Sequence, residues 1–445
     1  MASYTTFTTC GDMGAWVSKL ILDLPTEVRA CDVTTSAFNV FSERLDPATG
    51  EVVMAREHHG DPIAHPSHGY VPVRAAYPCD AQGTPAERGT RVALDLPEIR
   101  LTKHCDGNLK GTKRRDVRFR VAQLAALPAS APVPEPLCGL VWDERGDDAS
   151  TDLAGWSFSS GTFAGRELAY GYFEPDFDAL AAKERVIAGM EMINREFHVA
   201  EKVPLIVWLH GAGEGGSDPW VTVTGNKVTA LSGEHIQDCM GGAAYVLAPT
   251  SPTYWMDDGE EQLGESNRSI WENAVMEMIR AFVVARPRID ADRIYVGGLS
   301  NGGFMTCRLL IDNPDYFAAA LPVCAPFFEQ NATAEVIDAI KDKPIWFVHG
   351  DDDPLVLPER TVLPLMHALL DAGARNAHLT YYDRCEDLSG AYHDRDGRPQ
   401  RYIGHFVWIQ TYDDYPRTDI DGHYVTVGGR PVTIWQWLGM QRLEK

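Results

Sequence analysis

The hydrophobic pattern changes its period near residue 130. Before that point apolar and polar positions alternate in short runs: VSKLILDL (17–24), AFNVFSERL (37–45), GYVPVRAAY (69–77), RVALDLPEIRL (91–101) and DVRFRVAQL (116–124). Gly, Pro, Asp and Asn clusters separate the runs, and no 3.6-residue period intervenes. Strands recurring at that spacing predict an all-β sandwich over residues 1–130. The stretch PASAPVPEP (128–136) reads as a semi-rigid spacer, and 131–160 is assigned as a Pro-rich linker.

From 161 to 445 the pattern is of a different kind. VPLIVWLHG (203–211), AAYVLAP (243–249), DRIYVGG (292–298), FAAALPVCAP (317–326), KPIWFVHG (343–350) and AHLTYYD (377–383) are strand-like runs, several apolar throughout. Helical periodicity lies between them, at 177–197, 269–285 and 301–314, with further helices expected at 332–341, 360–373 and 431–443. Unbroken apolar strands alternating with helices predict an α/β domain, its mostly parallel sheet covered on both faces.

Charge narrows the choice of partner. The chain holds 40 basic and 63 acidic residues, a net charge of −23. Residues 1–150 carry 16 basic and 20 acidic side chains, and 151–445 carry 24 and 43. So acidic a surface repels phosphate backbones and anionic lipid heads, so neither nucleic acid nor a membrane is expected as a partner. The one basic run, KGTKRRDVRFR (110–120), reads as the solvated face of a strand. Nine scattered cysteines without a CxxC pair fit reduced thiols, not a disulfide framework or a zinc site. The first residues, MASYTTFTTCGDMGAW, show neither a basic n-region nor an apolar core, which points to the cytoplasm unless a leader was removed.

Candidate chemistry centres on GGLSNGGFM (297–305), where Ser300 stands between Gly298 and Gly302. The run before it is strand-like and the run after it helical, as a nucleophile elbow requires: the serine adopts an unfavourable backbone conformation and its neighbours must be small. An acid and a histidine should follow in that order. The strand PIWFVHG runs into DDDPLV (351–356); Asp353 is favoured as the acid, with Asp351 and Asp352 as alternatives. Of His367, His378, His393, His405 and His423, the base is assigned to His405, which follows a glycine and opens an apolar stretch in GHFVW. Backbone donors for an oxyanion are expected from LHGAGEGG (209–216) and from Asn301, the residue after the nucleophile.

Together LHGAGEGG, GGLSNGGF, HGDDDPLV and GHFVW resemble α/β-hydrolase esterases related to polyhydroxybutyrate depolymerases and feruloyl esterases. The similarity is greatest to the "predicted peptidase" group, in which an immunoglobulin-like domain precedes the hydrolase; GDMGAWVSKLILDLP and AFNVFSE resemble the opening of that domain. The resemblance implies a Ser300–Asp353–His405 triad and an oxyanion hole formed by Ala212 and Asn301. It also implies that Trp255, in APTSPTYWMDD (248–258), lines the substrate pocket. The implied activity is hydrolysis of small carboxylic esters (short-acyl, aromatic or plant-derived) without metal or organic cofactor. A serine peptidase on the same apparatus is the alternative, followed by a non-catalytic carbohydrate- or partner-binding protein. The N-terminal domain is a candidate surface for homo-oligomerisation. The hydrophilic stretch 384–402 departs from the family pattern.

Overall fold

The computed structural model describes residues 2–55, 63–104, 112–128, 136–182, 200–388, 390 and 392–443. The chain divides into two compact units, the first ending at Ala154 and the second beginning at Gly155.

The first unit is built on eight strands: β1 (Ala2–Gly11), β2 (Gly14–Arg29), β3 (Phe38–Leu45), β4 (His68–Val71), β5 (Ala75–Pro78), β6 (Arg88–Arg100), β7 (Asp116–Gln123) and β8 (Val141–Ala149). They hydrogen-bond in the order β4-β3-β7-β8-β1-β2-β6-β5. All pairs are antiparallel except β1 with β8. Strand β7 shows why the pattern was readable. Val117, Phe119 and Val121 are buried while Arg118 and Arg120 face outward. Arg118 and Arg120, at the end of the basic run, thus lie on a solvated face, with Arg118 paired to Glu43.

Strand β8 joins two parts of the sheet. Its first residues, Val141 and Trp142, pair with β7, and the remainder runs parallel to β1. Side chains from both parts meet in one interior: Tyr4 on β1 lies edge-on to Phe119 on β7, and Trp142 packs near Phe38. The Tyr4 hydroxyl accepts the Phe119 N–H at 2.9 Å.

Two of these strands were not expected from hydrophobic pattern, and one of them lies in the segment assigned as linker. Strand β8, VWDERGDDA, has only two large apolar residues. On β1 the buried face includes Thr6 and Thr8, and both hydroxyls donate to the Asp148 carboxylate on β8. This pairing rests on satisfied polar groups, which a search for hydrophobic alternation passes over.

The second unit holds β9 (Trp156–Phe163), β10 (Arg166–Phe173), β11 (Val203–Leu209), β12 (Tyr245–Thr250), β13 (Ile289–Leu299), β14 (Ala319–Val323), β15 (Ile345–Gly350) and β16 (Ala377–Tyr382). Their order is β9-β10-β12-β11-β13-β14-β15-β16. β11 to β16 are mutually parallel, and β9 and β10 extend the sheet antiparallel. Every residue of β11, β12, β14 and β15 is buried. Helices at Glu272–Val284, Asn301–Asp312 and Val362–Asp371 contribute apolar residues to the core of this unit. Residues 177–182 begin the helix expected at 177–197, and its remainder lies outside the described residues.

Topology selects one crevice. The chain leaves β11 toward β12 on one side and returns to β13 on the other, so order reverses between β11 and β13. Ligands of open α/β sheets bind at the carboxyl ends of strands flanking such a reversal.

The Tyr4–Phe119 hydrogen bond gives a direct check on the first unit. Tyr4→Phe leaves a buried N–H without its acceptor, which costs about 1–3 kcal/mol. Urea unfolding followed by fluorescence should show a lower midpoint for this variant, while Thr9→Ala on the same strand should change it less.

Candidate active site

Four strand ends supply the side chains that meet at this crevice. Ser300 stands between β13 and the helix Asn301–Asp312, at φ 52° and ψ −119°. That conformation is costly for a residue with a Cβ, on the order of 1–3 kcal/mol, and persists only where surrounding structure dictates it. The structure here is backbone contact. A Cβ on Gly298 would come within 2.6 Å of the Leu209 carbonyl oxygen, and one on Gly302 would overlap the same carbonyl. The Ser300 N–H is held by the Val323 carbonyl at 2.8 Å.

His405 lies in the turn Gly404–Phe406, nearly buried and edge-on to Trp408. Its Nε2 is 2.9 Å from Ser300 Oγ, and its Nδ1 is 2.7 Å from Asp353 Oδ2. Residue 350 lets this turn approach β15: a Cβ there would sit 2.5 Å from the Gly404 carbonyl oxygen.

The three consecutive aspartates have three different partners. Asp351 accepts from the Tyr381 hydroxyl, Asp352 pairs with Arg401, and Asp353 is buried against His405. Asp353 Oδ1 also accepts the N–H groups of Leu355 and Val356, each at 2.9 Å, and His349 Nε2 lies 3.3 Å from Oδ2. Burial pushes the Asp353 carboxyl up, but hydrogen bonds from His349, His405 and Val356 outweigh it and hold the group well below the usual carboxylate range. It is therefore ionised at neutral pH.

The loop after β11 begins with His210, whose ring is buried. Nδ1 is 2.6 Å from the Gly211 carbonyl oxygen, and Nε2 accepts the Ser251 N–H at 2.9 Å. Burial, partly countered by the Gly211 carbonyl, lowers the His210 pKa to about 4. The ring is therefore neutral, with its proton on Nδ1. Because a trans peptide points its C=O and N–H in opposite directions, fixing the Gly211 carbonyl also fixes the Ala212 N–H. Ala212 starts the short turn Ala212–Glu214, and Asn301 is the first residue of the elbow helix.

Trp255 is not at an open surface. Its side chain is fully buried, lies tilted against His210 with ring centroids 5.0 Å apart, and donates from Nε1 to the His210 carbonyl at 3.1 Å. Its backbone N–H donates to Asn301 Oδ1 at 2.6 Å. The expected pocket-lining tryptophan is thus a brace joining both halves of the site, because its ring is consumed by packing. His210 and His349 went unassigned in the sequence. The signal was available: each is a lone imidazole ending an otherwise apolar strand, in LHG and VHG. The other late histidines lie elsewhere, His378 bound to Asp419 and His367 within the helix Val362–Asp371. Arg401, from the hydrophilic stretch 384–402, reaches the edge of the site through Asp352.

Glu214, two residues beyond Ala212, is buried, and its pKa is raised to about 7 by burial against the counteracting effects of its own N–H, Asn226 and the Gly211 N–H. A buried acid whose folded pKa exceeds its unfolded value binds more protons in the folded state. Its penalty is therefore absent below the unfolded value near 4.5, grows as pH rises, and is complete above about 7. Between those limits wild type should lose about 3 kcal/mol relative to Glu214→Gln, at 1.36 kcal/mol per pKa unit. Urea denaturation of both proteins at pH 5 and pH 8 measures the difference.

Comparison with known proteins bears on both units. Residues 3–131 match the family model described as the esterase Ig-like N-terminal domain, and residues 254–335 match the prolyl oligopeptidase family. A putative esterase, NocK, of Nocardia uniformis subsp. tsuyamanensis is 28% identical over 182 residues, which span 39% of this chain and about half (48%) of that relative. The crystal structure of a thermostable esterase superposes with a TM-score of 0.72 at 21% identity, covering 99% of each chain. No helix among the described residues is long and apolar enough to cross a membrane. The chain thus has an α/β-hydrolase fold, preceded in sequence by a domain that matches the esterase Ig-like N-terminal model.

Proposed function

We propose that the protein is a serine esterase that cleaves small carboxylic esters through an acyl-enzyme. The observation that carries this reading is the continuous hydrogen-bond chain from Asp353 through His405 to Ser300, ending on a serine in a strained elbow. His405 Nε2 takes the Ser300 proton as Oγ attacks the carbonyl carbon, and the buried Asp353 carboxylate orients and stabilises the imidazolium. Negative charge then develops on the former carbonyl oxygen, where the N–H groups of Ala212 and Asn301 receive it. His405 returns its proton to the leaving alcohol. Water, deprotonated by the same imidazole, releases the acid and restores Ser300.

The reading extends to substrate class. Asp351, Asp352, Glu260, Glu261 and Glu265 are exposed on loops at or following strand ends, and the second unit carries most of the acidic excess. Neutral or cationic esters are favoured over anionic ones on that ground. The eight free thiols of the described cysteines favour a reducing compartment. The prolyl oligopeptidase match supports one second reading, a peptidase using the same residues.

Two experiments separate these. A fluorophosphonate probe should label wild type stoichiometrically and leave Ser300→Ala unlabelled, with ester hydrolysis lowered on the order of 10⁴-fold or more. Matched ester and anilide substrates decide between the two readings, and equal kcat/KM on both would sink the esterase assignment.

The oxyanion role has a clean probe in Ala212→Pro. Gly211 already has φ −73° and ψ 179°, suited to the residue before a proline, and proline is tolerated at the first position of a turn of helix. Removing this one N–H should lower kcat about 10²–10³-fold with KM and unfolding midpoint little changed. An unchanged kcat would remove Ala212 from the mechanism.

A further inference from the structure

His235, Cys239 and Asp414 share no residue with the serine site and draw their side chains together from two separate segments. Their potential ligand atoms all lie within 4.8 Å of one another. His235 and Cys239 are four positions apart on the helix Glu234–Cys239, so both project from one face of a single turn. Asp414 follows the helix Trp408–Tyr412 and holds a left-handed backbone conformation, φ 59°.

The carboxylate of Asp414 is buried and held from two sides. Oδ2 accepts from the Thr433 hydroxyl at 2.7 Å and is 2.8 Å from His235 Nε2, while Oδ1 accepts the Trp435 N–H at 3.2 Å. Both outer donors come from the start of the C-terminal helix Ile434–Met440 and its N-cap. That helix also fixes the other two groups: a Cβ on Gly439 would overlap the Cys239 carbonyl oxygen, so the two helices touch backbone to backbone.

A histidine–carboxylate hydrogen bond alone would require no thiol at the next turn of the same helix face. One nitrogen, one sulfur and one oxygen donor, with the carboxylate oriented by its own outer hydrogen bonds, is the arrangement a tetrahedral zinc ion uses. We propose that His235, Cys239 and Asp414 form a zinc-binding site completed by one water. Bonds of about 2.0–2.3 Å place tetrahedral ligands closer together than the present outer limit, so binding draws the cluster in. His235, two-thirds exposed, has the freedom to turn from Asp414 toward the ion. The thiol proton of Cys239 passes to solvent as the Zn–S bond forms. The ion then ties the helix Glu234–Cys239 to the segment 414–435 without taking part in ester cleavage.

The test uses the full-length protein stripped with chelator and titrated with Co²⁺ alone. Wild type should bind one equivalent, with a near-ultraviolet sulfur-to-cobalt charge-transfer band and the visible bands of tetrahedral cobalt, and zinc should displace it. Cys239→Ser and His235→Asn should each lose the charge-transfer band. Zinc should raise the thermal midpoint of wild type and leave both variants unmoved. His235 is exposed, so His235→Asn keeps its fold if Cys239→Ser does not. Failure of wild type to bind, or a band retained in His235→Asn or Cys239→Ser, overturns the proposal. Fluorophosphonate labelling of Ser300 should be the same with and without metal, so the result stands apart from the esterase reading.

Discussion

Ser300 cannot hold its conformation by itself. At φ 52° and ψ −119° an L-residue has no local reason to stay, and the turn exists because three pieces of backbone pass each other with no room for a side chain. Strand β11 contributes the Leu209 carbonyl, against which Gly298 and Gly302 both lie. The Val323 carbonyl at the end of β14 takes the Ser300 N–H. The strain is therefore shared across three parallel strands, whose register sets where the hydroxyl points. Sheet order, glycine placement and serine geometry are one constraint expressed at three scales.

The same economy governs the loop opposite Ser300. His210 is neutral, with each ring nitrogen engaged, and its partner on one side is the peptide whose other end is the Ala212 N–H. Trp255 then connects this loop to the elbow, donating from its indole to the His210 carbonyl and from its backbone to the Asn301 side chain. The two backbone N–H groups proposed to receive the oxyanion thus sit on segments coupled through one buried tryptophan. Such coupling fixes donor positions before substrate arrives, which is where electrostatic stabilisation draws its advantage over water.

What could be read from sequence follows from what each element is made of. Strands β11, β12, β14 and β15 are buried throughout and apolar except for Thr250 and His349, and the elbow is written in glycines, so the α/β architecture and the position of Ser300 were legible. Strands β1 and β8 were not, because threonine hydroxyls and Asp148 replace aliphatic contacts at their shared edge. The family resemblance implies a pocket-lining Trp255, and a tryptophan in a loop after a strand suits packing equally well. Only its full burial and its two donated hydrogen bonds separate packing from recognition. His210 and His349 escaped notice because an imidazole at a strand end carries its meaning in its partners.

The run DDDPLV shows the same limit more sharply. Three identical side chains in succession cannot be ranked by residue type, and all three stand near the end of β15. Geometry divides them by environment. Asp351 and Asp352 remain exposed, the first accepting from the Tyr381 hydroxyl and the second paired with Arg401. Asp353 is buried, which by itself would favour the neutral acid. It remains charged because two backbone N–H groups and two imidazoles donate toward it. Those donors serve two ends: they keep the carboxylate from taking a proton from His405, and they fix the direction from which it holds Nδ1. A carboxylate more basic than this would capture the imidazolium proton and leave the ring unanchored. The depth of the burial and the number of donors are consequently matched, and a loss of either would be felt first at His405.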